Sequence, residues 1–431
     1  MIRILKKTLR GMTAGFLLGG APSSPAAPWT SWTKHPTNPV YTHGTVASDP
    51  AVLKDGSTYR MIVSGEGGGS PDGNSLIEAT SPDGTRWTTL PNGQNGRVVP
   101  SAPGVWDESL ETPELIKAGG EYLIFYAGYD PAVRDASGGL AWGDLGLAVS
   151  ADGTHFARSG PAPVLTRTPN SFDQDGLTDP TIVEVGGTLE MIYVGWCTQG
   201  CAINGGAPAF YALKAVSTDN GRTWTKQGRL DPGSNIGLQH PDLVLDADGL
   251  YSLFYGVDGA CGGGRVGLSL ARGPTAFGPF TEASAAPVLC LGTRGFENAG
   301  TDGGFPSVLN DGGVGRMYYT GVNEALFEFQ IGLAETRLTV PGGGADPVGF
   351  PNPFHPSADQ SMTFARLAPG GRLRIYDLTG RPVIEVSADG GGAAQWDGRD
   401  GSGRRVASGI YWGLADGVDG TRRSFKIVVR E

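Results

Sequence analysis

Hydrophobic residues in this chain fall in short runs that close on Gly, Asp, Asn or Pro, the pattern of strands and tight turns rather than of long helices. The runs recur. Five 18-residue segments align without a gap: SDPAVLKDGSTYRMIVSG from Ser48, ETPELIKAGGEYLIFYAG from Glu111, TDPTIVEVGGTLEMIYVG from Thr178, QHPDLVLDADGLYSLFYG from Gln239 and GFPSVLNDGGVGRMYYTG from Gly304. Each has Pro third and Gly last, and their starts lie 63, 67, 61 and 65 residues apart. In each copy an apolar run after the Pro, such as Ala51-Val52-Leu53 or Thr181-Ile182-Val183, meets a Gly or Asp turn. A second β-rich run follows, such as Tyr122 to Tyr126 or Tyr318-Tyr319. This is a hairpin signature, and Pro can open a strand because the first position can do without a ladder donor. The period fits four short strands with their loops.

A third strand and a turn come later in three repeats. Ile77 to Ser81 precedes Pro82-Asp83-Gly84-Thr85-Arg86-Trp87, Leu147 to Ser150 precedes Ala151-Asp152-Gly153, and Ala215 to Ser217 precedes Thr218-Asp219-Asn220-Gly221-Arg222-Thr223-Trp224. The last resembles the Asp box of sialidase-type propellers. Asp83, Asp152 and Asp219 are therefore assigned to turns, each carboxylate capping its own loop while the Trp packs between sheets. Radially arranged blades protect their sheet edges. The expected fold class is all-β, with a five-bladed β-propeller over residues 30–340 and a Gly-rich linker over 341–347. A small immunoglobulin-like β-sandwich over 348–431 completes the chain.

That last module carries Pro351-Asn352-Pro353-Phe354, Leu373 to Arg381, Trp396-Asp397-Gly398-Arg399-Asp400-Gly401, Gly409-Ile410-Tyr411-Trp412 and Ser424 to Val429. In this order the motifs resemble the FlgD-like module and, equally, the C-terminal sorting domain of type IX secretion substrates. The resemblance implies delivery to the outer surface of a Gram-negative-type cell, with secretion or cell-surface machinery as a partner. The Asp397 to Gly403 loop lacks the spaced oxygen ligands and closing Glu of an EF-hand and is read as a turn.

Composition agrees with the pattern: 71 Gly and 31 Pro in 431 residues are about twice the usual share. The net charge of −10 disfavours nucleic acid and anionic membrane surfaces. Basic residues to Arg10, an apolar stretch from Gly11 to Gly20 and small residues Ser24-Pro25-Ala26 read as a signal peptide over residues 1–26. An exported chain favours disulfides for its four cysteines, paired Cys197 with Cys201 and Cys261 with Cys290 so that each closes a loop within one repeat. Neither spacing suits a zinc knuckle.

If the Pro column starts the innermost strands, the residues before it gather at one mouth of the central funnel. Immediately before Pro stand Asp49, Thr112, Asp179, His240 and Phe305; one earlier stand Ser48, Glu111, Thr178, Gln239 and Gly304. Asp49, Glu111 and Asp179 would then converge, the set that glycosidic bond cleavage needs for acid and base roles. Here the chain resembles the five-bladed glycoside hydrolases of families 43 and 32, through Ser48-Asp49-Pro50. The resemblance implies a carbohydrate substrate, Asp49 as base or nucleophile, and Asp179 as the residue that tunes and orients the acid. The family 43 acid is a Glu in Glu-Gly-Pro one blade after Asp179, where this chain has Gln239-His240-Pro241. Glu111 is the first choice to replace it and His240 the second.

His240, Gln239, Trp106, Trp142 and Trp196 are candidate sugar contacts. Asp107, Asp173 and Glu297, each after an aromatic residue, are read as loop scaffolding. No cofactor is expected, and a central calcium ion is allowed rather than required. Three other readings stay open: a glycan-binding propeller without catalysis, a phosphorylase needing a basic phosphate site, and a scaffold for protein contacts.

Overall fold

The computed structural model describes residues 29–66, 73–130, 132–133, 143–197, 209–230, 239–246, 250–273, 275–293, 295–298, 303–311, 313–337, 347–350, 354–356, 361–365, 367–368, 370–389, 392–416 and 422–430. The segment read as a signal peptide lies outside these, as do residues 341–346 of the expected linker. Among the described residues no helix is long and apolar enough to cross a membrane.

The repeats fold as five antiparallel sheets. Their innermost strands, Ala47–Asp55, Ser109–Ala118, Gly176–Val185, Gln239–Leu245 and Gly304–Asp311, each pack beside the next, and the fifth returns to the first. The sheets thus circle one axis as a propeller, numbered here as blades one to five in chain order. Blade five takes its outermost strand from the start of the chain: Thr33–Lys34 pairs with Glu328–Arg337, Thr33 opposite Glu335. His35 N donating to Leu333 O at 2.8 Å and Val40 N to Ile331 O at 2.8 Å lengthen that seam. The repeat alignment does not contain this strand, because it precedes the first copy.

The Asp turns form as the sequence predicts. Asp83 Oδ1 accepts from the backbone N of Thr85 and Arg86, both at 2.9 Å, and Asp152 Oδ1 does the same for Thr154 at 2.8 Å and His155 at 2.9 Å. Asp219 Oδ1 accepts from Thr223 N at 2.9 Å. The following Trp residues bridge blades: Trp224 meets Phe125 of blade two edge-on at 5.6 Å, and Trp87 meets Tyr318 of blade five at 5.5 Å.

The acids that follow aromatic residues lock individual blades. Asp107 Oδ2 accepts from Tyr126 Oη at 2.8 Å and Arg158 Nε at 2.7 Å. Asp173 binds Tyr193 Oη at 3.2 Å and Lys226, and Glu297 binds Tyr319 Oη at 2.6 Å and Lys34. In each case a loop acid ties the middle strand to a cation on the outermost strand. The Gly column explains how the loop gets so close. A Cβ on Gly128 would stand 2.5 Å from Asp107 Cβ, and one on Gly195 would stand 2.9 Å from Asp173 Cβ.

From Val348 onward two further sheets form a small sandwich, one of three strands and one of four. They enclose a core of Phe354, Phe364, Leu373, Ile375, Trp396 and Ile427. Its turns use the same Asp device: Asp400 Oδ1 accepts from Ser402 N at 2.9 Å and Arg404 N at 3.1 Å. Cys261 and Cys290 are disulfide-bonded. Cys197 is also in a disulfide, while Cys201, its expected partner, lies outside the described residues.

Candidate functional site

Each innermost strand breaks register at its Pro, with bulges between Ser48 and Ala51, Glu111 and Glu114, Thr178 and Thr181, Gln239 and Asp242, and Gly304 and Ser307. At the bulge the residue before Pro turns left-handed: φ is 53° at Asp49, 48° at Thr112, 49° at Asp179, 52° at His240 and 44° at Phe305. None of these is Gly, so each conformation costs about 1 to 3 kcal/mol that the surrounding sheet must offset. The result is one axial pocket lined by these five residues, their prolines, Glu114 and Asp242.

Below the bulges, side chains one position after Pro stitch neighbouring blades together. Glu114 Oε1 accepts from Ile182 N at 3.0 Å, Thr181 Oγ1 from Leu243 N at 2.9 Å, Asp242 Oδ2 from Val308 N at 2.6 Å, and Ser307 Oγ from Val52 N at 2.9 Å. Blade one has Ala51 at this position. There the Glu114 carboxyl also accepts the N–H of Leu115. Burial, with the Asp242 charge adding to it, drives the Glu114 carboxyl well above its usual range, and burial pushes Asp242 up to about 7.

At the mouth, Asp49 is buried, and its Oδ2 accepts from Ser64 Oγ at 2.6 Å, Ser48 Oγ at 3.2 Å and Thr112 N at 3.4 Å. Burial raises its pKa; the Ser64 hydrogen bond and the nearby His240 oppose the rise, and the Asp179 charge adds to it. Glu111 on blade two is only partly buried, yet burial among these groups and the Asp49 charge push it up to about 7. Hydrogen bonds from Tyr129 and Asn74 hold it from rising further. Asp179 Oδ1 lies 3.0 Å from His240 Nδ1, and its backbone N donates to Thr112 Oγ1 at 3.1 Å. Thr112 Oγ1 also lies 3.1 Å from Thr178 Oγ1. The polar contacts therefore run unbroken from Asp49 through Ser64 and Thr112 to Asp179. A carboxyl poised near neutrality beside a second buried carboxylate can give and take protons at a bond placed between them.

Asp49, Asp179 and His240 line the axial pocket; Glu111, one residue farther from the Pro, is close enough for both Asp49 and Asp179 to act on its charge. Gln239 lies in the innermost strand of blade four opposite Gly256. Trp106 packs parallel to Tyr126, with ring centroids 6.5 Å apart, against the core shared by blades one and two. Trp196 meets Phe210 edge-on at 4.3 Å. Trp142 lies outside the described residues. The sequence reading did not select Phe305, whose ring centroid is 3.4 Å from that of His240, nor Asn74, Ser64, Glu114, Tyr129 or Asp242. The alignment held a signal for some of them, since the position after Pro is polar in four of five copies. Asn74 and Tyr129 had none, because they come from the second hairpin arms. Among the described residues no group of three His, Cys, Asp or Glu side chains has the spacing of a metal site.

No family model matches the chain. It is 26% identical over 170 residues to the uncharacterized proteins MT1551 and Rv1502 of Mycobacterium tuberculosis, a match covering 37% of this chain and 52% of theirs. The chain thus spans about half the length of these curated relatives. Solved structures with the same fold are glycoside hydrolases. One is described as a glycoside hydrolase, with a TM-score of 0.53 and 18% identity over 73% of this chain and 94% of that one. Another belongs to a study of the GH130 family of mannoside phosphorylases, said to contain glycoside hydrolases that target β-1,2 mannosidic linkages in Candida mannan; its TM-score is 0.54, with 15% identity over 75% of this chain and 97% of that one. A third, a complex of BT0996 with RGII, has a TM-score of 0.53 and 19% identity over 73% of this chain and 95% of that one.

Proposed function

We propose that this protein is a glycoside hydrolase that cleaves polysaccharide or oligosaccharide bonds at the propeller mouth. The observation that carries the reading is Glu111, a carboxyl pushed up to about 7 beside the buried Asp49 carboxylate. In the proposed reaction Asp49 takes a proton from water as its oxygen bonds to the anomeric carbon. The glycosidic C–O bond breaks, and its electron pair leaves on the oxygen that takes the Glu111 proton. Solvent then returns a proton to Glu111 and removes one from Asp49. Asp179 orients and tunes the pair, and His240 and Phe305 offer ring faces beside it.

A phosphorylase would need cations at the bond being cleaved, and no Lys or Arg is among the described residues lining the axial pocket. A glycan-binding protein without turnover is the second reading, favoured by Gln239 standing where the family 43 acid is expected. The N-terminal segment and the sandwich support an exported enzyme tethered at the cell surface.

The test is sugar release from a panel of aryl glycosides and polysaccharides. Wild type should turn over at least one of them, and Asp49→Asn and Glu111→Gln should each lower that rate about 100-fold or more while the fold is retained. Binding without release across the panel would favour the second reading.

A further inference from the structure

Glu111 is held by hydrogen bonds that all point one way. Asn74 N–H can only donate, and it donates to Ser109 Oγ at 2.9 Å. Ser109 lies directly opposite Tyr129 in the hairpin, and its hydroxyl hydrogen-bonds the Tyr129 oxygen in the sense that favours phenolate. Tyr129 Oη then donates to Glu111 Oε1 at 2.6 Å, and Asn74 Nδ2 donates to the same oxygen at 2.7 Å. Ser109 and Tyr129 are both buried. Oε1 thus faces two hydrogens, whereas Oε2 has no hydrogen-bond partner among the described residues and is not sealed from solvent. A third hydrogen on Oε1 would collide with the two already aimed at it.

We propose that Asn74, Ser109 and Tyr129 form a one-way hydrogen-bond circuit that fixes the Glu111 carboxyl and confines its transferable proton to Oε2. They are positioning residues, and their role in catalysis rests on the reading of Glu111 as the acid. The circuit spans a blade joint, since Asn74 belongs to blade one and the other three to blade two. It therefore ties the acid's aim to the packing that also places Asp49. The titratable groups acting on Glu111 are Asp49 and Asp179 from the neighbouring innermost strands and Tyr129 from its own blade. Both aspartates oppose its ionisation; both hydrogen-bond donors favour it.

The test uses the full chain labelled with 13C at glutamate carboxyls and follows the NMR titration without substrate. Wild type should show one carboxyl titrating near 7, absent in Glu111→Gln. Tyr129→Phe and Asn74→Ala each remove a donor to the carboxylate and should move that titration up by about one unit. Ser109→Ala should move it less, because Tyr129 keeps its bond to Glu111. The alkaline limb of kcat/KM should follow the same shifts, which a loss of packing alone would not produce. Should Tyr129→Phe disturb the fold, seen in the near-UV circular dichroism, Asn74→Ala carries the test. An unchanged titration in both variants overturns the circuit. The expected shifts in a protein that releases no sugar would leave the circuit standing and remove the hydrolase reading.

Discussion

His240 on blade four places Nδ1 3.0 Å from Asp179 Oδ1 on blade three, so the imidazole sits at the aspartate that flanks the proposed base. Its influence reaches Asp49, whose rise in pKa it opposes. His240→Gln removes that opposition, and Asp49 should then ionise at higher pH. Because Asp49 acts as a carboxylate, the acidic limb of kcat/KM should move to higher pH while the alkaline limb set by Glu111 moves less. An acidic limb that stays in place would separate His240 from the base.

Glu111 has a cost to the fold. Its carboxyl titrates at an ordinary 4.5 when unfolded and about 7 when folded, so the folded state holds the proton more tightly between these values. Stability is complete below pH 4.5, declines as pH rises through about 7, and is flat above. A shift of this size at a partly solvated group is worth about 2 to 3 kcal/mol. Glu111→Gln, inactive as an enzyme, should be more stable than wild type by that amount at pH 8 and equal to it at pH 4. Urea unfolding midpoints at the two pH values check this, and a variant less stable than wild type at pH 8 would contradict it.

The blade joints offer a test that does not depend on function. Ser307→Ala leaves the N–H of Val52 without the hydroxyl it donates to at 2.9 Å across the joint of blades five and one. An unmet backbone donor costs about 1 to 3 kcal/mol. Ser307→Thr keeps the hydroxyl and should restore most of the loss, which denaturant unfolding of the pair would register.

Much of this architecture was legible because the repeat writes its geometry into a few columns. Pro third and Gly last gave the hairpins, the Asp turns gave the outer connections, and the five pre-Pro residues gave the ring. What stayed hidden was set by contacts between segments remote in the chain. Thr33–Lys34 carries no repeat signature, so the strand that closes blade five could not be read before its partner Glu328–Arg337 was in place. Asn74 and Tyr129 look like ordinary strand-end residues until folding brings both to Glu111. The left-handed turn at each pre-Pro residue was hidden too, since Asp, Thr, His and Phe carry no common preference for it; the bulge imposes it.

The Gly column itself predicts one severe lesion. Gly128 lets Asp107 lie against the middle strand of blade two, where Asp107 is buried and holds Tyr126 and Arg158 together. In Gly128→Ala the new methyl would stand 2.5 Å from Asp107 Cβ and 2.7 Å from Trp106 Cζ3, so the loop must retreat. Retreat breaks both hydrogen bonds to Asp107, as Asp107→Ala would do by truncation. Opening a buried ion pair costs about 3 to 5 kcal/mol. Both variants should lose stability on that scale, and the double variant should lose little more than either alone, because the second change removes an interaction the first has already broken. Thermal unfolding of the three proteins measures this, and additive losses would show that Gly128 serves something other than the Asp107 lock.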